Sequence, residues 1–144
     1  MTEPVRRPRP GAAGFTLLEL LVVLAILGLL IGLVAPQVVK YFGRAKTDVA
    51  RVDINNLEQA LDLFRLDVGR YPTQEEGLEA LIARPAGVET WQGPYIKQKK
   101  VPTDPWGHPY HYRIPGQHGE YDLYSLGADD APGGTGEDQD ITNW

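Results

Sequence analysis

The chain has 144 residues, a net charge of −5 at neutral pH and no cysteine. This length allows one compact domain and a membrane helix, but not two full hydrophobic cores. The acidic balance, together with the lack of a basic patch that alternates with aromatic residues, argues against nucleic-acid binding. Without cysteine, the chain has no disulfide, no thiol catalysis and no Cys-based metal site.

A long apolar segment lies near the N-terminus. Residues 15–39 contain no Lys, Arg or Asp, and the apolar run is long enough to span a hydrocarbon core. Arg6, Arg7 and Arg9 come just before it, so the positive-inside bias predicts a cytoplasmic N-terminus with the rest of the chain across the membrane. We therefore predict a membrane-spanning helix over residues 15–36.

The small residues near this segment are in an unusual place for export. A secretory signal peptide carries its small-residue cleavage site after the apolar stretch. Here the small residues come before it, at Gly11, Ala12, Ala13 and Gly14. A cut after Gly14 would remove only a polar leader, residues 1–14, and would keep the apolar helix as an anchor.

Residues 14–19, which read GFTLLE, resemble the recognition sequence of class III signal peptides in type IV pilins and type II secretion pseudopilins. The resemblance implies that a prepilin peptidase cleaves between Gly14 and Phe15. It also implies that the same enzyme methylates the new Phe15 amine, so that the mature protein begins at Phe15.

Glu19 lies inside the apolar segment. A carboxylate in a lipid-facing helix costs on the order of 2.5–3.5 kcal/mol on insertion scales, so we expect something to compensate for it. Cleavage after Gly14 creates an amine one helical turn away, and the amine of a neighbouring copy could pair with Glu19 in a helix bundle. The resemblance assigns Glu19 this role in assembly. The alternative is that Glu19 only reaches to the cytoplasmic interface.

Three further residues bear on the shape of the span. Gly28 and Gly32 have the Gly-x-x-x-Gly spacing that permits close approach of helices, although such a pair is also ordinary in transmembrane helices. Pro36 removes a backbone donor, which predicts a kink or a loosening of the helix at that point.

Apolar residues recur with helical spacing after Pro36. The pattern predicts an amphipathic stem helix over residues 37–69, with one apolar stripe against the head and Gly69 as the cap. The residues of this stripe are Val38, Phe42, Ala45, Val49, Val52, Leu57, Ala60, Leu61, Phe64 and Val68.

Residues 70–144 are predicted to form a globular head. Thr73 and Glu76 have capping-box spacing, which predicts a short second helix that ends before Pro85. Pro- and Gly-rich residues 85–109 form a loop whose aromatic side chains pack on the head. Alternating segments 110–114 and 121–126 form a hairpin, so the fold class is α+β with a small antiparallel sheet on a long helix.

An acidic loop, residues 129–140, carries five carboxylates among several glycines. Oxygen ligands on an adaptable backbone suit calcium. By composition alone, a solvated acidic tail is the competing interpretation.

Five segments of the head resemble the major pseudopilins of type II secretion systems. The resemblance implies a calcium ion in the acidic loop, with Asp129 and Asp140 as side-chain ligands, Asp138 as a weaker third and Leu126 through its carbonyl oxygen. The segments are residues 70–73 (RYPT), 104–110 (DPWGHPY), 115–119 (PGQHG), 125–129 (SLGAD) and 140–144 (DITNW).

The three histidines are His108, His111 and His118, of which His108 and His111 could supply two metal ligands, but no third ligand accompanies this pair. No catalytic motif is present either, so we expect no enzymatic activity. The resemblance implies a single-pass inner-membrane protein with a periplasmic head. It would polymerise into a pseudopilus that drives export of folded proteins across the outer membrane, with a prepilin peptidase, minor pseudopilins and an inner-membrane assembly platform as partners. Alternatives are a type IV pilin, or a bitopic calcium-binding receptor that is neither cleaved nor polymeric.

Overall fold

The computed structural model describes residues 14–144, so most of the leader lies outside the described residues. Within these residues, the secondary structure consists of helix α1, two 3₁₀ helices and a three-stranded sheet. The bounds are Leu17–Val68 for α1, Leu78–Leu81 and Gly136–Asp138 for the 3₁₀ helices, and His111–Arg113, Asp122–Ser125 and Ile141–Thr142 for β1, β2 and β3. The predicted α+β class is confirmed. The chain divides into two compact units that meet between Val39 and Lys40.

In the first unit, α1 begins where the sequence supplies an N-cap. The Thr16 hydroxyl accepts a hydrogen bond from the Glu19 backbone N–H at 3.2 Å. This bond satisfies one of the donors that a helix start leaves free. The span is long and apolar enough to cross a membrane, and none of its most apolar window is buried. The helix continues through Pro36, so the predicted loosening does not interrupt it.

In the second unit, α1 has two apolar stripes rather than the single one predicted. The inner stripe is buried in the head, and the outer stripe is exposed. Helical periodicity alone does not separate the two, because both repeat every three to four residues. The inner stripe is Gly43, Thr47, Ala50, Ile54, Leu57, Leu61 and Phe64; the outer stripe is Phe42, Ala45, Val49, Val52, Asn56, Gln59, Leu63 and Leu66.

The end of α1 agrees with the prediction. The last helical residue is Val68, and Gly69 follows with φ of 85°. The Gly69 N–H donates to the Arg65 carbonyl at 2.7 Å. A left-handed residue directly after the helix is tolerated because glycine has no Cβ.

The predicted second helix is shorter than expected and is not an α-helix. Both capping-box bonds form, from Glu76 N–H to the Thr73 hydroxyl at 3.3 Å and from Thr73 N–H to the Glu76 carboxylate at 2.8 Å. They close a turn instead of starting an α-helix, because Gly77 follows with φ of 55°. Only a four-residue 3₁₀ helix, Leu78–Leu81, comes after it.

The sheet contains the predicted hairpin and one further strand. β1 and β2 are antiparallel, with Tyr112 opposite Leu123. β3 pairs with the other edge of β2, with Ile141 opposite Ser125. Tyr112, Leu123 and Ile141 are buried in the same core as the inner stripe. Trp91, Tyr95 and Trp106 of the long loop pack against this core, as predicted.

Candidate functional site

The residues around the predicted cleavage point are accessible. Gly14 is exposed, and the Phe15 side chain is 85% exposed. Glu19 is exposed in the first turn of α1. Within residues 14–144, no hydrogen bond or ion pair engages the Glu19 carboxylate. The acid therefore lies on an apolar helix with no partner in its own described chain.

The acidic loop is folded tightly onto the end of β2. The Ala128 N–H donates to the Glu137 carbonyl at 2.9 Å, which joins the two limbs of the loop. Gly127 has φ of 72°, and a Cβ there would lie 2.7 Å from the Glu137 carbonyl oxygen and 2.8 Å from that of Gln139. Only glycine fits at position 127, because both of these oxygens belong to the backbone and cannot rotate away from a side chain.

Asp140 is the candidate ligand that the structure places best. Its Oδ2 accepts a hydrogen bond from the Gly133 N–H at 3.0 Å. Its Oδ1 is buried and accepts no hydrogen bond from any residue that the structure describes. A buried carboxylate oxygen without a donor is costly, so this atom suits a cation ligand. Asp140 and Leu126 line the same cavity, of about 220 Å³.

The other two candidate ligands lie elsewhere in the loop. Asp129 is exposed, and its Oδ1 accepts from the Ala131 N–H at 3.2 Å, as in an Asx turn. Asp138 is exposed as well. Neither lines the cavity that Asp140 and Leu126 share. Across residues 14–144, no three acidic or imidazole side chains are grouped as a metal site.

Asp104 is a positioning residue that the sequence analysis missed. Its side chain is fully buried. Oδ1 accepts from the backbone N–H groups of Trp106 and His108, at 3.1 and 2.8 Å, and Oδ2 accepts from the Ser125 hydroxyl at 2.6 Å. Ser125 accepts in turn from the Gly127 N–H at 3.2 Å. Asp104 thus fixes the start of the acidic loop, and the Asp-Pro turn sequence was its one local signal.

His108 and His118 have structural partners. The His108 Nδ1 lies 3.1 Å from the Gly127 carbonyl oxygen. The His118 ring stacks on Trp144 at a centroid distance of 4.0 Å, so Trp144 packs on the head. Burial alone would raise the pKa of Asp122, but hydrogen bonds from the Gln117 and His118 backbone and the contact with the His118 ring lower it below its ordinary value.

Comparison with known proteins places these features in a family. The family model described as "Type II secretion system (T2SS), protein G" matches residues 37–144. The model "Prokaryotic N-terminal methylation motif" matches residues 9–35. The chain belongs to the type II secretion system protein G family.

Individual relatives agree over nearly the whole chain. The type II secretion system core protein G of Pseudomonas aeruginosa is 48% identical over 140 residues, which are 94% of this chain and 97% of the relative. The Vibrio cholerae core protein G is 46% identical, over 91% of this chain and 90% of the relative. The crystal structure of the major pseudopilin from the type 2 secretion system of enterohaemorrhagic Escherichia coli is similar at a TM-score of 0.59 and 37% identity, covering 70% of this chain and 88% of that one.

The predicted resemblance, the fold class and the function as a type II secretion pseudopilin are thereby confirmed. The alternatives of a type IV pilin and of a bitopic receptor receive no support from these matches. The family is one of structural subunits that form pilus-like assemblies, and the apolar N-terminal helix is consistent with a membrane anchor.

Proposed function

We propose that this chain is a single-pass inner-membrane precursor that is cut after Gly14, methylated at Phe15 and assembled as a homopolymer into a periplasmic pseudopilus. The observation that carries the proposal is the Glu19 carboxylate, which is exposed on an apolar helix and has no partner among residues 14–144. An isolated carboxylate is unfavourable in the bilayer core, whereas an N-terminal ammonium would compensate for it.

The spacing of the two groups supports pairing between copies. Phe15 and Glu19 are four residues apart, which corresponds to roughly 6 Å of rise along a helix. The amine of one copy can thus lie beside Glu19 of another when two α1 helices pack in parallel with a small shift. Because Phe15 and Glu19 are both exposed, neither has to leave a contact within its own chain.

The outer stripe of the stem also supports a homopolymer. Its members alternate in steps of three and four residues from Phe42 to Leu66, which is the spacing of a helix-packing seam. Phe42 is 68% exposed and Leu66 is 79% exposed. Asn56 and Gln59 interrupt the apolar series near its middle. Polar residues at such positions can fix the register of packed helices.

Calcium in the acidic loop is the second part of the proposal. Asp140 and the Leu126 carbonyl would hold the ion, and Asp129 and Asp138 would complete the set by turning their side chains toward it. The unpartnered Asp140 Oδ1 and the oxygen-only donors of the loop support this assignment. Calcium would supply positive charge that offsets repulsion among the loop carboxylates.

Membership in the family supports the remaining parts of the proposal. The head would lie in the periplasm, and the assembled filament would drive the export of folded proteins across the outer membrane. A prepilin peptidase, minor pseudopilins and an inner-membrane assembly platform are the proposed partners. The histidines and carboxylates of the head serve structural roles, so the proposal includes no enzymatic activity.

Mass spectrometry of the chain extracted from membranes tests the processing step. The expected mature chain lacks residues 1–14 and carries one methyl group on Phe15. Replacement of Gly14 by Val should leave the leader in place, because the bulky side chain would block the cut, whereas Gly28→Val should be processed normally. An intact leader on the wild-type chain would contradict the proposal.

A further inference from the structure

Glu137 lies in the acidic loop but is not among the proposed ligands, and its side chain lies across the stem at Gly43. A Cβ added to Gly43 would overlap with Cγ and Oε1 of Glu137 and would lie 2.7 Å from its Cδ. Gly43 is buried and belongs to the inner stripe of α1. The absence of a side chain at Gly43 therefore makes room for Glu137 on the helix.

Glycine is a poor residue for the interior of a helix, since alanine in the same place restricts the unfolded chain and favours helical backbone. Gly28 and Gly32 on the same helix have no atom within 4 Å of an added Cβ. Gly43 differs from both, because the space beside it is filled by another part of the chain.

Glu137 is held in this position from two further sides. Its Oε2 accepts a hydrogen bond from the Trp106 indole N–H at 3.2 Å. Its backbone carbonyl accepts the bond from Ala128 that joins the limbs of the acidic loop. Trp106 belongs to the turn that Asp104 fixes. Glu137 is thus connected to the stem, to the Asp104 turn and to both limbs of the loop.

We propose that Gly43 and Glu137 form a seat that fixes the acidic loop on the stem helix, so that order in the loop and order in α1 around Gly43 are linked. The inference has two consequences. The first concerns the metal-free chain, in which displacing Glu137 should loosen the loop. The second is that a loosened loop binds calcium more weakly, and only this consequence rests on the proposed calcium site.

The linkage is reciprocal. If an ordered loop strengthens calcium binding by a given free energy, bound calcium stabilises the contact between Gly43 and Glu137 by the same free energy. Calcium should therefore slow amide hydrogen exchange within the acidic loop and also near Gly43, although Gly43 is far in sequence from all of the proposed ligands.

The test uses the full chain in detergent micelles and compares Gly43→Ala with Gly32→Ala, Glu137→Ala and the double variant Gly43→Ala/Glu137→Ala. The readouts are amide exchange of residues 40–47 and 126–140 without metal, and binding of calcium alone. We expect Gly43→Ala to speed loop exchange and to weaken calcium binding about fivefold or more, the usual lower range of coupling between sites. Gly32→Ala should change neither.

The double variant separates the seat from a general effect on the helix. With the Glu137 side chain removed, the added methyl group has nothing to displace, so Gly43→Ala should have no further effect on exchange or binding in that background. Equal behaviour of Gly43→Ala and Gly32→Ala would overturn the seat, as would an undiminished effect of Gly43→Ala in the double variant. If the wild-type chain binds no calcium, the proposed cation site fails, while the metal-free exchange comparison still decides the seat.

Discussion

The two units of the chain differ in how far the apolar side chains of α1 are exposed. In residues 14–39, the apolar side chains of α1 are exposed, Leu17 at 88% and Leu33 at 69%. In residues 40–144, Leu57, Leu61 and Phe64 of the same helix are at most 1% exposed. Both parts are helical, but they differ in composition, since Glu19 is the only charged residue of residues 15–39 whereas residues 40–68 are amphipathic. We propose that lipid and other copies cover the first unit, whereas the inner stripe of the second unit is covered by its own head.

The outer stripe belongs to the second unit, but its apolar side chains are exposed like those of the first unit. It lies on the same stretch of helix as the buried inner stripe. An isolated apolar residue on a surface is ordinary, but a series with regular helical spacing indicates a surface that is covered by a partner. Substitutions in the two stripes should therefore separate effects on folding from effects on assembly.

Leu61 and Leu63 provide the pair with the largest expected difference. Leu61→Ala should lower the free energy of unfolding by about 2–5 kcal/mol, because it leaves a cavity in the core. Leu63→Ala should change it by less than about 0.5 kcal/mol, since Leu63 is an exposed residue of the outer stripe. Chemical denaturation of the full chain in micelles measures both. Equal losses would show that the outer stripe is covered by the chain's own head.

For filament assembly, the direct effect on contacts between copies should come from Leu63→Ala and not from Leu61→Ala. Leu63→Ala is expected to reduce the yield of sheared filaments, since it removes a contact between copies, although the variant folds normally. A filament yield equal to wild type for Leu63→Ala would remove the outer stripe from the assembly surface and leave it as an ordinary exposed face.

Removal of calcium should have an intermediate effect on the second unit. A ligand at a hundredfold excess over its dissociation constant stabilises a protein by about 2.7 kcal/mol, so chelation should lower the thermal midpoint of the full chain. Asp129→Ala and Asp140→Ala should abolish this difference, whereas Asp48→Ala, an exposed acid on the stem, should retain it. A midpoint that does not respond to chelation would reject the cation site.

The smallest expected effect concerns pH. A salt-bridging hydrogen bond from Arg70, together with the bonds from Thr73, lowers the pKa of Glu76 below its ordinary value, against the opposing effect of burial. The stability that Glu76 contributes should be complete above its unfolded pKa and should be lost as the pH falls through the lower, folded pKa. Glu76→Gln should flatten this acid limb of the stability profile. Parallel acid limbs for the two chains would contradict the assignment.

The sequence predicted those parts of the fold that have local causes. Gly69 ends α1 because it takes a conformation that other residues avoid, and the hairpin follows from alternation around a turn. β3 was missed because two residues, Ile141 and Thr142, are too few to show a period. The second helix was overestimated because the capping box was read without the left-handed Gly77 that follows it.

The parts that depend on distant contacts could not be predicted from local pattern. The role of Asp104 depends on Ser125, and the role of Gly43 depends on Glu137, far along the chain in each case. For the acidic loop, composition indicated oxygen ligands but not which of them face one cavity. Asp140 and Leu126 do, and Asp129 and Asp138 do not. The N-cap at Thr16 is different, because it has a local signal in the Thr-x-x-Glu spacing of Thr16 and Glu19.

We propose that Glu19 is tolerated in the apolar helix because the N-terminal amine of another copy pairs with it. The decisive experiment replaces Glu19 with Leu and measures both processing and filament yield. We expect the variant to be cleaved and held in the membrane but to form no filaments. Filaments at the wild-type yield would show that assembly does not need this pair.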